Sequence, residues 1–229
     1  MKCSIMQPHF LPWIGYFNLI TQSEKFIFLD DAQFSKNNWH NRNRILNNNL
    51  PLWISVPVKS GNLKKKINET EIVSDDCWKK KMIRKIFSTY KKHPFINDLD
   101  LIFDYITKFQ NNSLSKLNIS LIELISENLD INKNKFINSS KIIIDPTLKR
   151  TDKLISILET IGAKIYITPE GSLDYLKEDN FTKKTSIQIK KRDYSIRKYD
   201  QYNSKKFIER LSIVDLIANK GWKGSRQYI

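Results

Sequence analysis

Between Gln7 and Asn43 the chain concentrates side chains that a packed core does not need: Gln7, His9, Trp13, Tyr16, the adjacent pair Asp30-Asp31, Gln33, Trp39, Asn41 and Arg42. Each type has a chemical use. Arg42 offers a planar fork of donors suited to a phosphate or carboxylate. Gln7, Gln33 and Asn41 supply amide donors and acceptors for a sugar or a carbonyl. Trp13, Tyr16 and Trp39 can stack on a sugar or base, or fill a core. His9 sits between two prolines, Pro8 and Pro12, where a loop histidine can act as a general base. Two carboxylates in one pocket would raise the pKa of one of them, but neighbours in an extended strand point to opposite faces. One of the pair is therefore expected in the site. Asp30 is chosen because it directly ends the apolar run 25–29; a structural role at the strand end is the alternative.

The elements that must position these groups can be read from periodicity and breakers. The run 2–6 reads as a short buried strand, Pro8 and Pro12 stiffen the loop after it, and 13–20 has helical spacing. A second strand over 25–29 then delivers the two aspartates to its carboxyl end, where open α/β sheets bind ligands. Downstream, 51–58 alternates as a strand, 59–66 is a basic glycine-containing loop and 67–74 is a further short strand. Helices are predicted from Trp78 to Tyr90, over 99–109 and over 114–129. The run 141–144 returns to strand character, followed by a helix over 152–161, a strand over 163–167, a short helix at 173–176 and a strand over 186–189. Ser212 is placed as the cap of a last helix that Gly221 stops, and 222–229 reads as a mobile basic tail. The alternation argues for an α/β fold: one mixed or largely parallel sheet with flanking helices and a helical middle segment. The whole of 1–229 reads as one domain, with 75–135 as a helical sub-lobe.

Composition bounds the class. At 229 residues, 40% hydrophobic and 11% aromatic, the chain can bury a substantial core. Its longest apolar runs fall far short of the roughly 20 residues that span a bilayer. No basic region followed by an apolar stretch opens the sequence, so a cytoplasmic protein is expected. Cys3 and Cys77 make no disulfide framework, and no clustered ligand spacing marks a metal. The formal charge of +15 would steer an anionic partner, but the lysines are scattered and accompanied by many Asn and Ile, so much of it reads as solvated surface.

With its motifs in view, the chain resembles the WbqC-like proteins. The resemblance rests on Gln7-Pro8, Pro12-Trp13 and Gly15-Tyr16, on Asp30-Asp31-Ala32-Gln33-Phe34, and on Trp39-His40-Asn41-Arg42-Asn43. Near the C-terminus Tyr199, Gln201, Phe207 and 211–216 match as well, so the similarity runs almost the length of the chain. It departs at His9, His40 and His93, and at Thr168-Pro169-Glu170, where a small Ser-Gly turn is more usual.

Such genes lie in clusters for O-antigen and related bacterial surface glycans, including lipopolysaccharide. Some are proposed to encode transferases that attach glycine to an amino sugar. The resemblance thus implies a nucleotide-linked amino sugar as acceptor and an activated aminoacyl or acyl group as donor, a carrier-protein thioester being slightly favoured over aminoacyl-tRNA. In that chemistry Asp30 and His9 are the catalytic candidates, with Asp30 handling the amine. Gln7, Trp13, Tyr16, Asp31, Gln33, Trp39, Asn41 and Arg42 are placed in substrate binding, joined by Tyr199 and Gln201 from the C-terminal part. No cofactor and no metal is expected. The placement of the His9 loop is similar to the phosphate-contacting loop of nucleotidyltransferases, but the His-Gly-His core is missing and no Walker or dinucleotide glycine motif occurs. The competing expectation is a noncatalytic module that presents a carrier or glycan intermediate to a partner enzyme.

Overall fold

The computed structural model describes residues 1–61 and 64–229. Five parallel strands form the sheet: β1 (Lys2–Met6), β2 (Lys25–Phe28), β5 (Phe136–Asn138), β6 (Ile165–Thr168) and β7 (Gln188–Lys191), in spatial order β5-β2-β1-β6-β7. Numbered along the sheet alone this is 3-2-1-4-5, the order of doubly wound nucleotide-binding sheets. Both faces are covered, which explains why the strands read as continuous apolar runs. Phe26 and Phe28 pack with helix α1 (Ile14–Gln22), whereas Cys3, Ile5 and Ile27 pack with helix α5 (Arg150–Thr160). Burying each of those phenylalanines contributes on the order of 2 kcal/mol. Because the chain leaves β1 toward β2 but later returns on its other side at β6, the order reverses beside β1 and opens a crevice at the carboxyl ends.

The excursion between β2 and β5 carries the rest of the architecture. An antiparallel hairpin, β3 (Arg42–Asn47) and β4 (Leu50–Ser55), is followed by α2 (Cys77–Tyr90), α3 (Asp100–Lys108) and α4 (Leu114–Asn128). These helices bury Ile86, Ile102, Ile106, Leu117 and Leu121 in the same core as α1. Helix α4 also reaches back to the first loop: the buried Asn118 amide donates to the carbonyls of Pro8 (3.0 Å) and His40 (2.7 Å). After β6 come α6 (Leu173–Glu178) and α7 (Phe181–Lys184), and α8 (Ile213–Ser225) closes the chain.

Three local expectations change. The run 67–74 is a 3-10 turn at Ile67–Glu69 followed by single bridges, Val58 to Ile72 and Glu71 to Ser113, because the chain crosses between the hairpin and α4 without a strand to pair along. The isoleucine run 141–144 is not the strand; Phe136–Asn138 pairs with β2 instead. Ser139 and Ser140 are then held in a turn by Asp30, so Ile143 ends 94% exposed. Gly221, at φ +67° and ψ 174°, breaks the last helix as expected, but a further helical turn follows it and the segment read as a mobile tail is docked. Trp222 donates its backbone N–H to Asp98 Oδ2 and its indole N–H to the Asp98 carbonyl, both at 2.9 Å, and Arg226 pairs with Asp130. Of the basic loop over 59–66, residues 62 and 63 lie outside the described residues.

Candidate functional site

At the carboxyl ends of the strands lies a cavity of about 1000 Å³. β1 contributes Gln7 from the residue after its end, β2 is followed by Asp31 and Gln33, and β5 by Ser139 and Ser140. The first turn of α5 adds Lys149, Arg150 and Lys153, and Tyr175 of α6 closes the far side. Among the described lining residues five are cations (Lys64, Lys66, Lys149, Arg150 and Lys153), against the carboxylates Asp31 and Asp145. The amino-terminal end of α5 adds its partial positive charge to theirs.

The two adjacent aspartates have different surroundings. Asp30 is 2% exposed and does not line the cavity. Its Oδ1 accepts from Ser139 Oγ (3.0 Å) and the Ser140 backbone N–H (2.9 Å), and its Oδ2 from Ser140 Oγ (2.7 Å). It clamps the turn after β5 to the end of β2. Asp31 lies on the cavity wall, 2.6 Å from Lys153 Nζ. Burial by itself would raise the Asp31 carboxyl, but hydrogen bonds from Lys153 and Ser139 outweigh it and hold the group below the usual carboxylate range.

Behind Gln7 sit two imidazoles, the buried His40 and the half-buried His9. His40 Nδ1 accepts the Ser35 backbone N–H (3.1 Å), so the ring proton is on Nε2, which faces Gln7 Oε1 at 2.9 Å. With Oε1 so engaged, the Gln7 amide group is left to donate from the cavity wall. Burial lowers His40 to about 4; burial first, and then the neighbouring His40, lowers His9 to about 3. His9 packs 6.0 Å from His40 and 5.5 Å from Tyr16, and it does not line the cavity. The Tyr16 hydroxyl donates to the Gln7 carbonyl at 3.0 Å, and the Trp13 ring packs over Gly15, where a Cβ would stand 2.3 Å from it. The loop is held under strain: Leu11 has φ +41°, kept there by Asn43 Nδ2 and Ser212 Oγ donating to its carbonyl, both at 2.8 Å.

The remaining sequence candidates lie elsewhere. Trp39 and Arg42 are on the outer side of the hairpin, where the Arg42 guanidinium lies 4.0 Å over the Trp53 ring. Trp13 packs against Tyr194 and beneath Arg192. Asn41 is buried and closes the hairpin base by donating to the Val56 carbonyl (3.0 Å). Tyr199 and Gln201 both donate to the buried Asp215, at 2.6 and 3.1 Å, together with Tyr90 at 2.9 Å. Of the twelve sequence candidates, then, Gln7, Asp31 and Gln33 meet in the cavity, and the others support it or face away.

The cavity residues that the sequence reading missed include Ser139, Ser140, Lys149, Arg150, Lys153 and Tyr175. A serine pair closing a short strand, and a Lys-Arg pair opening a helix, were the available signals. Arg150 carries φ +50°, an uncommon conformation for a side-chain-bearing residue, and is anchored by Asp179. Among the described residues no group of three or more His, Cys, Asp or Glu side chains is arranged to hold a metal ion, and no helix is long and apolar enough to cross a membrane.

Comparison with known proteins agrees with this motif set. The model of the WbqC-like protein family matches residues 7–227. A protein of Mycobacterium tuberculosis (strain ATCC 25618 / H37Rv), named Uncharacterized protein Rv1507c, is 31% identical over 223 residues, covering 96% of this chain and 94% of its own. No solved structure matches. The match spans the first loop, both aspartates, the cavity and the C-terminal helix, and on that extent the chain belongs to the WbqC-like protein family.

Proposed function

We propose that the cavity binds a nucleotide-linked amino sugar and that the chain transfers an activated aminoacyl or acyl group, glycyl being the expected example, to the sugar's amine. One observation carries the reading: the Asp31 carboxylate, at the end of β2, stands in a cavity whose described charged lining is mostly cationic, five cations against Asp31 and Asp145. A diphosphate fits Lys149, Arg150 and the start of α5, and an ammonium fits Asp31. The volume of about 1000 Å³ is at the upper end of that of ordinary small-molecule sites.

The roles follow from the geometry. Asp31, held low by Lys153 and Ser139, is a poor proton acceptor near neutral pH and a good hydrogen-bond acceptor, so it orients the ammonium. The ammonium loses one proton to solvent water, and the neutral amine that results attacks the donor carbonyl. The new C–N bond forms as the C–S bond of a thioester or the C–O bond of an ester breaks, and the amine proton leaves with the departing thiol or hydroxyl. The Gln7 amide is the uncharged side-chain donor on this wall left for the developing oxyanion, because Ser139 and Ser140 give their hydroxyl protons to the aspartates. Asp31 therefore takes the amine-handling role first expected of Asp30, and His40 acts by positioning Gln7.

A noncatalytic binding module is the second reading. It is favoured by the histidines: with His40 near 4 and His9 near 3, neither is poised as a base at neutral pH. Titration calorimetry with a nucleoside diphosphate amino sugar and its N-acetylated form, followed by mass spectrometry with aminoacyl-tRNA and carrier thioesters, separates the two. Preferential binding of the free amine and a mass gain support transfer. Binding without a mass gain under any donor supports the module, and no binding refutes both.

A further inference from the structure

The outer face of the β3–β4 hairpin does not line the cavity, and its side chains are half-buried to exposed. Its inner face is apolar and buried through Ile45 and Ile54, as the strand alternation requires. The outer face carries Arg42 and Arg44, with Trp53 directly across from Arg44. Trp53 is 38% exposed. Trp39 joins it at 5.6 Å between ring centroids, and Arg44 lies 5.4 Å from the Trp39 ring and 5.8 Å from that of Trp53.

A second cluster of the same composition adjoins the first. Arg192 lies 5.4 Å from the Trp13 ring and 5.1 Å from Tyr194, and Arg210 lies 5.9 Å from Trp13. Backbone hydrogen bonds tie the two patches: Ser212 N–H donates to the Arg44 carbonyl (2.8 Å) and Phe10 N–H to the Trp39 carbonyl (2.9 Å). Asn43 adds its side-chain bonds to the carbonyls of Phe10 and Leu11.

None of these four arginines forms an ion pair among the described residues, although many lysines of the chain do. The Nε atoms of Arg42 and Arg44 are buried without an acceptor. Guanidinium groups partly withdrawn from water and left without carboxylates attract an anion more strongly than solvated lysines do. An acidic protein helix would be met by charge alone and makes no use of the indole rings, where the Arg42 guanidinium lies 4.0 Å over Trp53. Interleaved aromatic faces and arginines suit a strand whose bases stack while its phosphates are neutralised.

We propose that this face binds single-stranded RNA, its bases stacking on Trp39 and Trp53 and its phosphates meeting Arg42, Arg44, Arg192 and Arg210. The choice of RNA rests on the preceding reading, in which aminoacyl-tRNA, with an unpaired 3′ end, is one of the two donor classes. The binding itself requires no transfer step.

The test is fluorescence anisotropy of the full chain with a labelled ten-nucleotide RNA as a function of salt, with the same sequence as a duplex and an acidic acyl-carrier protein as competitors. The expected slope of log affinity against log salt is about −2.8 for four neutralised phosphates, falling to about −1.4 in Arg42→Gln/Arg44→Gln. Trp53→Ala is expected to weaken binding about tenfold. The charge-matched control Lys177→Gln/Lys183→Gln, on α6 and α7, leaves it unchanged. Arg42→Lys keeps the charge but loses the stacked fork, and serves should the tryptophan variant fail to fold. Absence of binding by the wild-type chain at low salt, equal losses in the control, preference for the duplex, or displacement by the carrier with no RNA affinity would each overturn the proposal. A chain that binds RNA this way but transfers nothing would leave it standing while refuting the transferase reading.

Discussion

Adjacent aspartates at one strand end offer the sharpest test of how the site is built. Asp30→Ala removes the acceptor for hydrogen bonds from Ser140 N–H and Ser140 Oγ, and for the Ser139 hydroxyl proton it shares with Asp31, at a residue only 2% exposed. Bonds to a carboxylate contribute about 1.5–3 kcal/mol each, but the serine hydroxyls can turn to other partners, so the loss is put at about 3–5 kcal/mol. For a chain of this length that lowers the melting temperature by about 10 °C. Asp31→Asn keeps shape and removes a charge from the cavity wall, where solvent and the neighbouring lysines remain. Its expected stability cost is about 1 kcal/mol. Its expected effect on ligand is larger: at least about tenfold weaker binding of a free-amine sugar nucleotide, with the N-acetylated form little changed. Urea denaturation measures the first pair of quantities and titration calorimetry the second. An Asp30→Ala protein as stable as the wild type, or an Asp31→Asn protein that still distinguishes amine from acetamide, would refute the division of roles.

Two further outcomes follow from the structure. His40 is buried and its folded pKa, about 4, lies below the ordinary 6.5, so the unfolded chain takes up the proton first as pH falls. Stability contributed by neutral His40 is complete above about pH 6.5 and is lost between there and about pH 4, by about 3 kcal/mol. Urea midpoints across that range check the loss, and an NMR titration showing His40 charging near 6.5 in the folded protein would contradict it. Gly221→Ala places a Cβ 2.8 Å from the Phe95 ring at φ +67°, and is expected to cost about 2 kcal/mol or more, read as a lowered melting temperature and a released Trp222 emission.

What the sequence determined by itself was local. Apolar runs of four or five residues marked β1, β2 and β6, and three- and four-residue spacing marked α2, α3 and α4, because burial of one face leaves a period that no distant contact is needed to read. The motif residues around Gln7, Asp31 and Gln33 were legible for a similar reason: chemistry-bearing side chains stood out against strands that require none. The run 141–144 misled because β-branched residues suit a strand wherever they occur, while pairing with β2 selected Phe136–Asn138. Which aspartate faces the cavity was decided by Ser139 and Ser140, more than a hundred residues away, whose hydrogen bonds hold Asp30 beneath the wall. The cations of α5 likewise reach Asp31 only because β6 returns beside β1 and carries that helix to the opposite face of the sheet from α1. The outward face of Arg42, Arg44, Trp39 and Trp53 depends on hairpin register, with Arg44 opposite Trp53. Periodicity states that a strand has two faces; only the packing of the rest of the chain against one of them decides which is left to meet a partner.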